Sequence, residues 1–563
     1  MRARRRVAAP LAVAVVVVLV ACAPALPETV VPGSAVRVGW TGEFTSANAA
    51  AAPTPGNLDI AATMRSGFGD LIDGEFVPDE GFGEVTIVDD DPFTVRYDLA
   101  EPAWSDGIPL DAADLLLGWA AASGSFDPAA EAGIDAGAAP AVAEIDEFAR
   151  AVEVTYPRPV EDWQQRITVP VPAHVVGRLA LGTDDAMEAK QAVITAIRDE
   201  DAEALAAIAD VWNTGFALPA EGGIPSDLLL SSGPFVVEEV TRDADGQSVT
   251  LVPNAAYRGL VTPQVATIEL VPAGQDPVSA VGERIDVAQV APVTSNRQLI
   301  EALERRDFTA DTAHDGTTWA LLLRPSGVFA DQAARAAFLR AIPANAMVAQ
   351  GAGAWASAYT ASSSMLSAPG TRAYDIAVED SGFAAALTGA DDPLLEREAA
   401  GVTAGVQVCV LHDRASEFAV GAFAALRGAA QEAGWSAVDC GADDLAGALG
   451  QGGWDAVITR VPIPQTAAEI AGQWGSGGQS SLLGISDPER DALIARFAET
   501  TDVYAARDLR AQIEGTIVRA AVALPLAVNP VVTLADRAVT GVASRDGGKA
   551  SLTSDAVQWA VVP

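Results

Sequence analysis

Three histidines, His174, His314 and His412, are the residues of this chain best suited to general-base or metal chemistry. They lie far apart in sequence and none sits in an H-E-x-x-H or similar spacing. A histidine metal site is therefore not expected, while a site built from carboxylates stays open. Lysine occurs only at Lys190 and Lys549. Neither has a serine three residues before it, so the S-x-x-K nucleophile pattern is absent, and no G-x-S-x-G elbow occurs. Gly351-Ala352-Gly353-Ala354-Trp355-Ala356 fits a loose dinucleotide fingerprint, but it follows a helical pattern rather than a strand. Cys409 and Cys440 each fall in an apparent strand, VQVCVLH (406–412) and WSAVDC (435–440), with a helical stretch between. The two strands could be neighbours in a parallel sheet, which leaves a disulfide or a pair of buried thiols. Their spacing fits neither C-x-x-C nor a zinc pattern. The 75 acidic residues could hide an acid–base pair, but nothing in the sequence singles one out. The expectation is a protein with no catalytic residues, no metal and no cofactor.

Charge narrows the partners. With 35 Lys plus Arg against 75 Asp plus Glu, the formal net charge is −40. Nucleic acid and anionic lipid surfaces both need clustered cations, so neither is an expected partner of the folded part. Half of the residues are hydrophobic, enough for real cores. The length of 563 residues calls for two or more domains at about 100–200 residues each.

The N-terminus reads as a targeting segment. Arg2, Arg4, Arg5 and Arg6 precede an uncharged apolar run from Val7 to Val20, the pattern of a secretory signal peptide. Leu19-Val20-Ala21-Cys22 resembles a bacterial lipobox, which implies a signal peptide over 1–21, a lipid on the Cys22 thiol, and a proline-bearing tether over 22–34. The alternative is an uncleaved anchor helix. Both place the protein on the outer face of the cytoplasmic membrane. No later segment approaches the ~20 consecutive apolar residues of a membrane span.

The elements that must position any site change rhythm along the chain. Strand patterns recur at VRVGW (36–40), GEVTIVDD (83–90), FTVRYDLA (93–100), AVEVTYP (151–157), SSGPFVVEEV (231–240), SVTLVPN (248–254) and TIELVP (267–272). A long polar loop occupies 41–59, and a helix is expected over 60–73. Residues 122–147 form an irregular Ala/Gly/Asp-rich excursion, and 184–212 read as helical. From about 271 onward, helices alternate with buried-looking strands such as WALLLRP (319–325) and WDAVITR (454–460). That alternation predicts an α/β domain with a largely parallel sheet. A long helix over 486–520 then leads into ALPLAVNPVV.

One corner stands out, PAWSDGIPLDAADLLLGW (102–119). Ser105-Asp106-Gly107 is turn chemistry, and Pro109 stiffens the exit. Asp111 suits an N-cap with Asp114 three residues on, an acidic variant of the capping box. The physics is that of a helix fixed against a sheet.

The same residues carry a resemblance. Trp104-Ser105-Asp106-Gly107-x-Pro109, then Asp114, resembles the signature of the family 5 extracellular solute-binding proteins, the oligopeptide- and dipeptide-binding type. The likeness continues in order through Ser232-Gly233-Pro234-Phe235, LVPNAAYRG (251–259), GERIDVAQV (282–290), FADQAARAAFLRAI (329–342) with Asp331 and Arg335, and Asp502 to Arg507 followed by ALPLAV (523–528). The resemblance implies a two-lobe α/β fold of the periplasmic-binding-protein kind, type II, with the lobes joined by hinge strands. The first lobe would comprise 35–270 plus 525–563 and the second 271–524. It implies a lipid-anchored, monomeric subunit of an ABC importer that captures peptides or a similar small solute and delivers it to a permease. A second use of the fold stays open: an envelope lipoprotein that serves no permease and acts in lipoglycan or mannolipid synthesis or regulation.

Ligand contacts are expected on strand ends and loops facing the cleft. In the loop 41–59 these are Phe44, Thr45, Asn48 and Asn57. Many peptide-binding members follow one second-lobe strand with an acid for the ligand's ammonium. Here Arg460 stands on that strand, and TTWALLLRPSG ends in Arg324. Two arginines in the cleft would suit a carboxylate or phosphate. Trp319 and Trp474 are candidate stacking platforms.

Overall fold

The computed structural model describes residues 27–562 except 73, 127–141, 147–149, 221, 275, 387–388, 545 and 548–550. Cys22, Lys549, the signal peptide and most of the 122–147 excursion lie outside the described residues.

A ten-stranded sheet runs through the molecule. Its strands lie in the order Ser436–Asp439, Gln407–His412, Ala456–Pro462, Phe308–Leu323, Ala523–Asp536, Val287–Val290, Val31–Trp40, Val265–Pro272, Gln247–Pro253, Phe235–Arg242. The expected parallel character is confined to two places. Gln407–His412 pairs in parallel with both of its neighbours, and so does Val31–Trp40. The central pair, Phe308–Leu323 and Ala523–Asp536, is antiparallel. The reason is connectivity: one of these long strands carries the chain out of the first half and the other brings it back.

The two halves bury separate cores. One gathers apolar residues from 36–270 with Ala535 to Trp559. Two more gather residues between 319 and 526, one on each face of the outgoing strand. Residues 271–310 add a small core of their own, and their strand Val287–Val290 pairs with Val31–Trp40 rather than with the 407–462 strands.

Helix ends follow local chemistry. The first helix is Pro55–Met64, not 60–73, because Thr54 caps it and Pro55 fits its first turn. The 184–212 stretch splits into Ala186–Arg198 and Ala202–Asp210, with Asp201 capping the second helix. The 486–520 stretch likewise splits into Pro488–Ala498 and Val503–Ala520, capped by Asp487 and Asp502. In each case an Asp offers the backbone an N-terminus that a continuous helix would not use.

The corner at 102–119 is built as a buried polar knot. Asp111 and Asp114 form a capping box on the helix Ala112–Ala122. Asp114 is fully buried, accepting from the Trp104 indole at 3.2 Å, the Ala173 N–H at 2.8 Å and Lys190 Nζ at 2.7 Å. Lys190 also reaches Asp111 at 3.1 Å and the Pro109 carbonyl at 2.6 Å. Burial pulls the Lys190 pKa down, but Asp114 and Asp111 outweigh it and leave it raised. Asp106 pairs with His174 at 3.0 Å, and Ser105 exchanges backbone and side-chain bonds with Ser231. Gly107 needs its positive φ of 86° for this turn. The polar residues of the signature thus tie the corner to Ser231, to the helix Ala173–Leu181 and to Lys190.

Candidate functional site

The two long strands cross from one half to the other at an irregularity in their pairing. Residues 308–314 pair with 530–536, residues 318–322 pair with 523–528, and the register shifts between His314 and Thr318. Gly316, at φ 74°, makes the bend. The residues of this bend project a polar group at the crossing. Asp315 accepts from the Thr317 N–H at 3.0 Å, Asn529 Nδ2 at 2.6 Å and Arg460 at 3.1 Å. Asn529 Oδ1 in turn accepts from the Trp319 indole at 2.8 Å. Strand register brings these together, since Trp319 lies opposite Arg460 on one side and Ala527 on the other.

An aromatic stack lies beside this network. Trp319 stacks on Phe418 with ring centroids 4.6 Å apart, and Phe418 stacks on Tyr359 at 4.8 Å. Phe418 is held by the first turn of the helix Glu417–Glu432, whose Ser416 cap accepts from Ala419 N–H. Glu417 reaches across to Thr294, accepting from its N–H at 2.9 Å and its hydroxyl at 2.8 Å. Burial pushes the Tyr359 phenol up to about 12, helped by Glu417 and Asp315 and opposed by Arg460. About half of the Arg460 side chain, 52%, stays exposed, against 23% for Asp315. The arrangement can offer a ligand a guanidinium face, a carboxylate and an aromatic edge, at the point where the two halves meet.

The halves also touch away from the crossing. Glu161, from the first half, accepts from the Ala467 N–H at 2.6 Å, at the start of the helix Ala467–Trp474. Its own N–H donates to the Ala498 carbonyl at 3.0 Å. Arg158 pairs with Glu499, and Arg507 with Glu75. Burial pushes the Glu161 carboxyl up to about 7, against the pull of its bond from Ala467 and of Arg510 and Arg166. Arg510 is buried beneath this contact and donates to the carbonyls of Leu366, Pro464 and Gln465.

The residues expected at the site separate into two groups. Arg460 and Trp319 stand at the crossing, but Trp319 is 6% exposed in a second-half core with its ring against Phe418, so it offers a ligand no open stacking face. Arg324 does not join them: it lies past the far end of the same strand, over the Trp454 ring at 5.5 Å, with its N–H on the Asp455 carbonyl. Trp474 is 5% exposed, packed in a second-half core, so it offers no open stacking face. Phe44 is core, and its N–H donates to Gln247. Asn48 and Asn57 are buried structural residues. Asn48 donates to the Trp212 carbonyl, and Asn57 accepts from the N–H groups of Thr45 and Ser46. Of the loop candidates only Thr45 is exposed. No acid follows the Arg460 strand, as expected, and the carboxylate beside Arg460 is Asp315 of the neighbouring strand. Asp315, Asn529, Tyr359, Phe418 and Glu417 were not legible as site residues. Their one sequence signal is the His-Asp-Gly turn that interrupts a strand at 314–316.

Cys409 and Cys440 form a disulfide, with Cα atoms 5.6 Å apart. Among the described residues no group of His, Cys, Asp and Glu is arranged to hold a metal ion. Nor is any described helix long and apolar enough to cross a membrane.

Comparison with known proteins agrees with this architecture. A periplasmic EDTA-binding protein, EppA, superposes with a TM-score of 0.77 at 18% identity, covering 94% of this chain and 97% of that one. The oligopeptide-binding protein AppA from Bacillus subtilis gives 0.62 at 12% identity, over 94% and 99% of the two chains. These likenesses show the fold, the two-lobe mixed α/β architecture of type II periplasmic binding proteins. In sequence, the uncharacterized lipoprotein Rv2585c of Mycobacterium tuberculosis is 30% identical over 288 residues, 49% of this chain and 48% of that protein. The uncharacterized lipoprotein ML0489 of Mycobacterium leprae is 32% identical over 296 residues, 50% and 48% of the two. The chain thus spans about half the length of the curated relatives it matches. The profile of bacterial extracellular solute-binding proteins, family 5 (middle region), matches residues 84–390, more than half of the chain. With the knotted corner, the sheet that crosses between two cores and that match together, the chain belongs to the family 5 bacterial extracellular solute-binding proteins.

Proposed function

We propose that this protein is the lipid-anchored binding subunit of an ABC importer, capturing a small solute by closure of two lobes and handing it to a permease. The first lobe comprises the 36–270 core with the C-terminal strand region, and the second the 319–526 cores. The observation that carries the reading is the crossing itself: two long strands join the cores, and a polar and aromatic cluster sits where they cross. Hinge closure around a ligand is the motion such a pair of strands permits. The solute is a peptide or a similar small molecule. Asp315 beside Arg460 presents both charges, which suits a ligand carrying an ammonium and a carboxylate. The half-exposed Arg460 also accommodates a purely anionic solute, in keeping with an EDTA-binding structural neighbour.

A thermal-shift screen of the mature chain against peptides, sugars, phosphorylated solutes and mannolipid head groups tests this. A ligand at 100 times its Kd adds about 2.7 kcal/mol, visible as a raised Tm. Binding that disappears in Arg460→Ala and Asp315→Asn supports the reading. If no solute raises the Tm, capture for import is refuted. If only mannolipid head groups do, the fold serves an envelope role without a permease.

A further inference from the structure

Leu260 is 75% exposed, the highest value of any large hydrophobic side chain among the described residues. It has company. Val261 and Val31 are each 46% exposed. The three gather at one edge of the first lobe, where the N-terminal segment joins the fold. Thr29 donates its hydroxyl proton to the Pro263 carbonyl at 2.8 Å and lies 3.1 Å from the Thr262 hydroxyl. Val31 donates its N–H to the Gln264 carbonyl and continues as the strand paired with Val265.

The turn ahead of Leu260 is tied to the first lobe by hydrogen bonds. Asn254 anchors it, donating to the Gly233 carbonyl at 2.8 Å and accepting from the Ala256 N–H at 2.9 Å. Gly81 backs it so closely that an added Cβ would stand 3.0 Å from the Leu260 nitrogen. Nothing in the importer cycle proposed above uses this turn, and three exposed aliphatic side chains at one edge would gain stability from burial against an apolar phase.

Chain length says what covers it. From Cys22 to Pro27 is five residues, which span at most about 18 Å when fully extended. If Cys22 carries lipid, Pro27 cannot leave the membrane by more than that, and Leu260 and Val261 sit beside the same exit. We propose that Leu260 and Val261, with Val31, form a membrane-contacting tip that fixes how the anchored protein sits on the bilayer. This rests on the lipid-anchor part of the proposed function. The contact is apolar for a physical reason. A chain of net charge −40 is repelled by anionic headgroups, so aliphatic insertion, with exposed Arg258 at headgroup level, is the attachment open to it.

The test uses the full mature chain, acylated at Cys22 and bound to vesicles of phosphatidylcholine and phosphatidylglycerol. With Cys409 and Cys440 in their disulfide, Val261→Cys offers a single free thiol for an environment-sensitive fluorophore. Leu395→Cys, at a site 61% exposed on the second lobe, is the control. The label at 261 should gain roughly twofold in emission on entering the acyl boundary and be quenched by nitroxide lipid. The label at 395 should do neither, and adding Leu260→Asp should return 261 to the control value. A 261 label that stays aqueous on vesicle-bound protein overturns the proposal, as does a change that appears only when purified permease is added. If the wild type is not acylated, or Cys22→Ala sediments with vesicles equally well, the anchor itself fails and this inference with it.

Discussion

The Glu161 contact predicts a pH dependence that can be worked out before it is measured. Glu161 crosses between the lobes to cap the helix Ala467–Trp474, and its carboxyl is pushed up to about 7 from an ordinary 4.5. The largest cause is burial; the Ala467 N–H and the Arg510 and Arg166 guanidiniums only partly offset it. A raised folded-state pKa means that the folded, lobe-contacting form binds the extra proton. Its stabilising share is then fully present below the unfolded value of 4.5 and is lost as the pH rises through about 7. The interval of roughly 2.5 pH units corresponds to about 3 kcal/mol, lost at no more than about 1.4 kcal/mol per unit. Glu161→Gln keeps an acceptor for the Ala467 N–H and cannot ionise. Urea unfolding of both proteins between pH 4.5 and 8 should therefore give a difference near zero at the acid end. The difference should grow in favour of Glu161→Gln and level off above pH 7. Glu514, buried in the second lobe and also raised to about 7, contributes with the same sign in both proteins and cancels. A difference that is flat across this range would show that the carboxyl is not buried against Ala467, and the reasoning would fail.

Two further outcomes follow from buried groups. Lys190→Met strips the partner from a fully buried Asp114 and should cost about 3–5 kcal/mol, read as a lowered Tm; Asp114→Asn in the same chain should recover a large part. Reduction of Cys409–Cys440, which closes a separation of 31 residues, should cost about 4 kcal/mol on the chain-entropy estimate, and hydrogen exchange should place the loss in the 407–462 strands.

Much of this protein was decided locally, and so was legible in the sequence. Alternation in FTVRYDL sets a half-buried strand whatever it packs on. Asp at position 111 and Asp114 three residues later set a capping box, because the bonds involved lie within one helical turn. The six motifs in chain order carried the family and the two-lobe fold. Charge sign and the missing catalytic spacings are properties of the chain itself.

Tertiary structure decided the rest. Lys190 read as one of two stray lysines; only packing of the 186–198 helix against the corner turned it into the buried partner of Asp114. Arg324 and Arg460 read alike, as strand-end arginines. Register separated them, placing Arg460 opposite Trp319 at the crossing and Arg324 beyond Leu323 at the other end. Asn48 and Asn57 read as loop polars available to a ligand, yet Asn57 accepts from the loop's own Thr45 N–H and Asn48 donates to the Trp212 carbonyl. The site at the crossing joins residues 294, 315, 319, 359, 418, 460 and 529. Such a set is invisible to any local pattern, because its spacing is set by the pairing of strands some 200 residues apart.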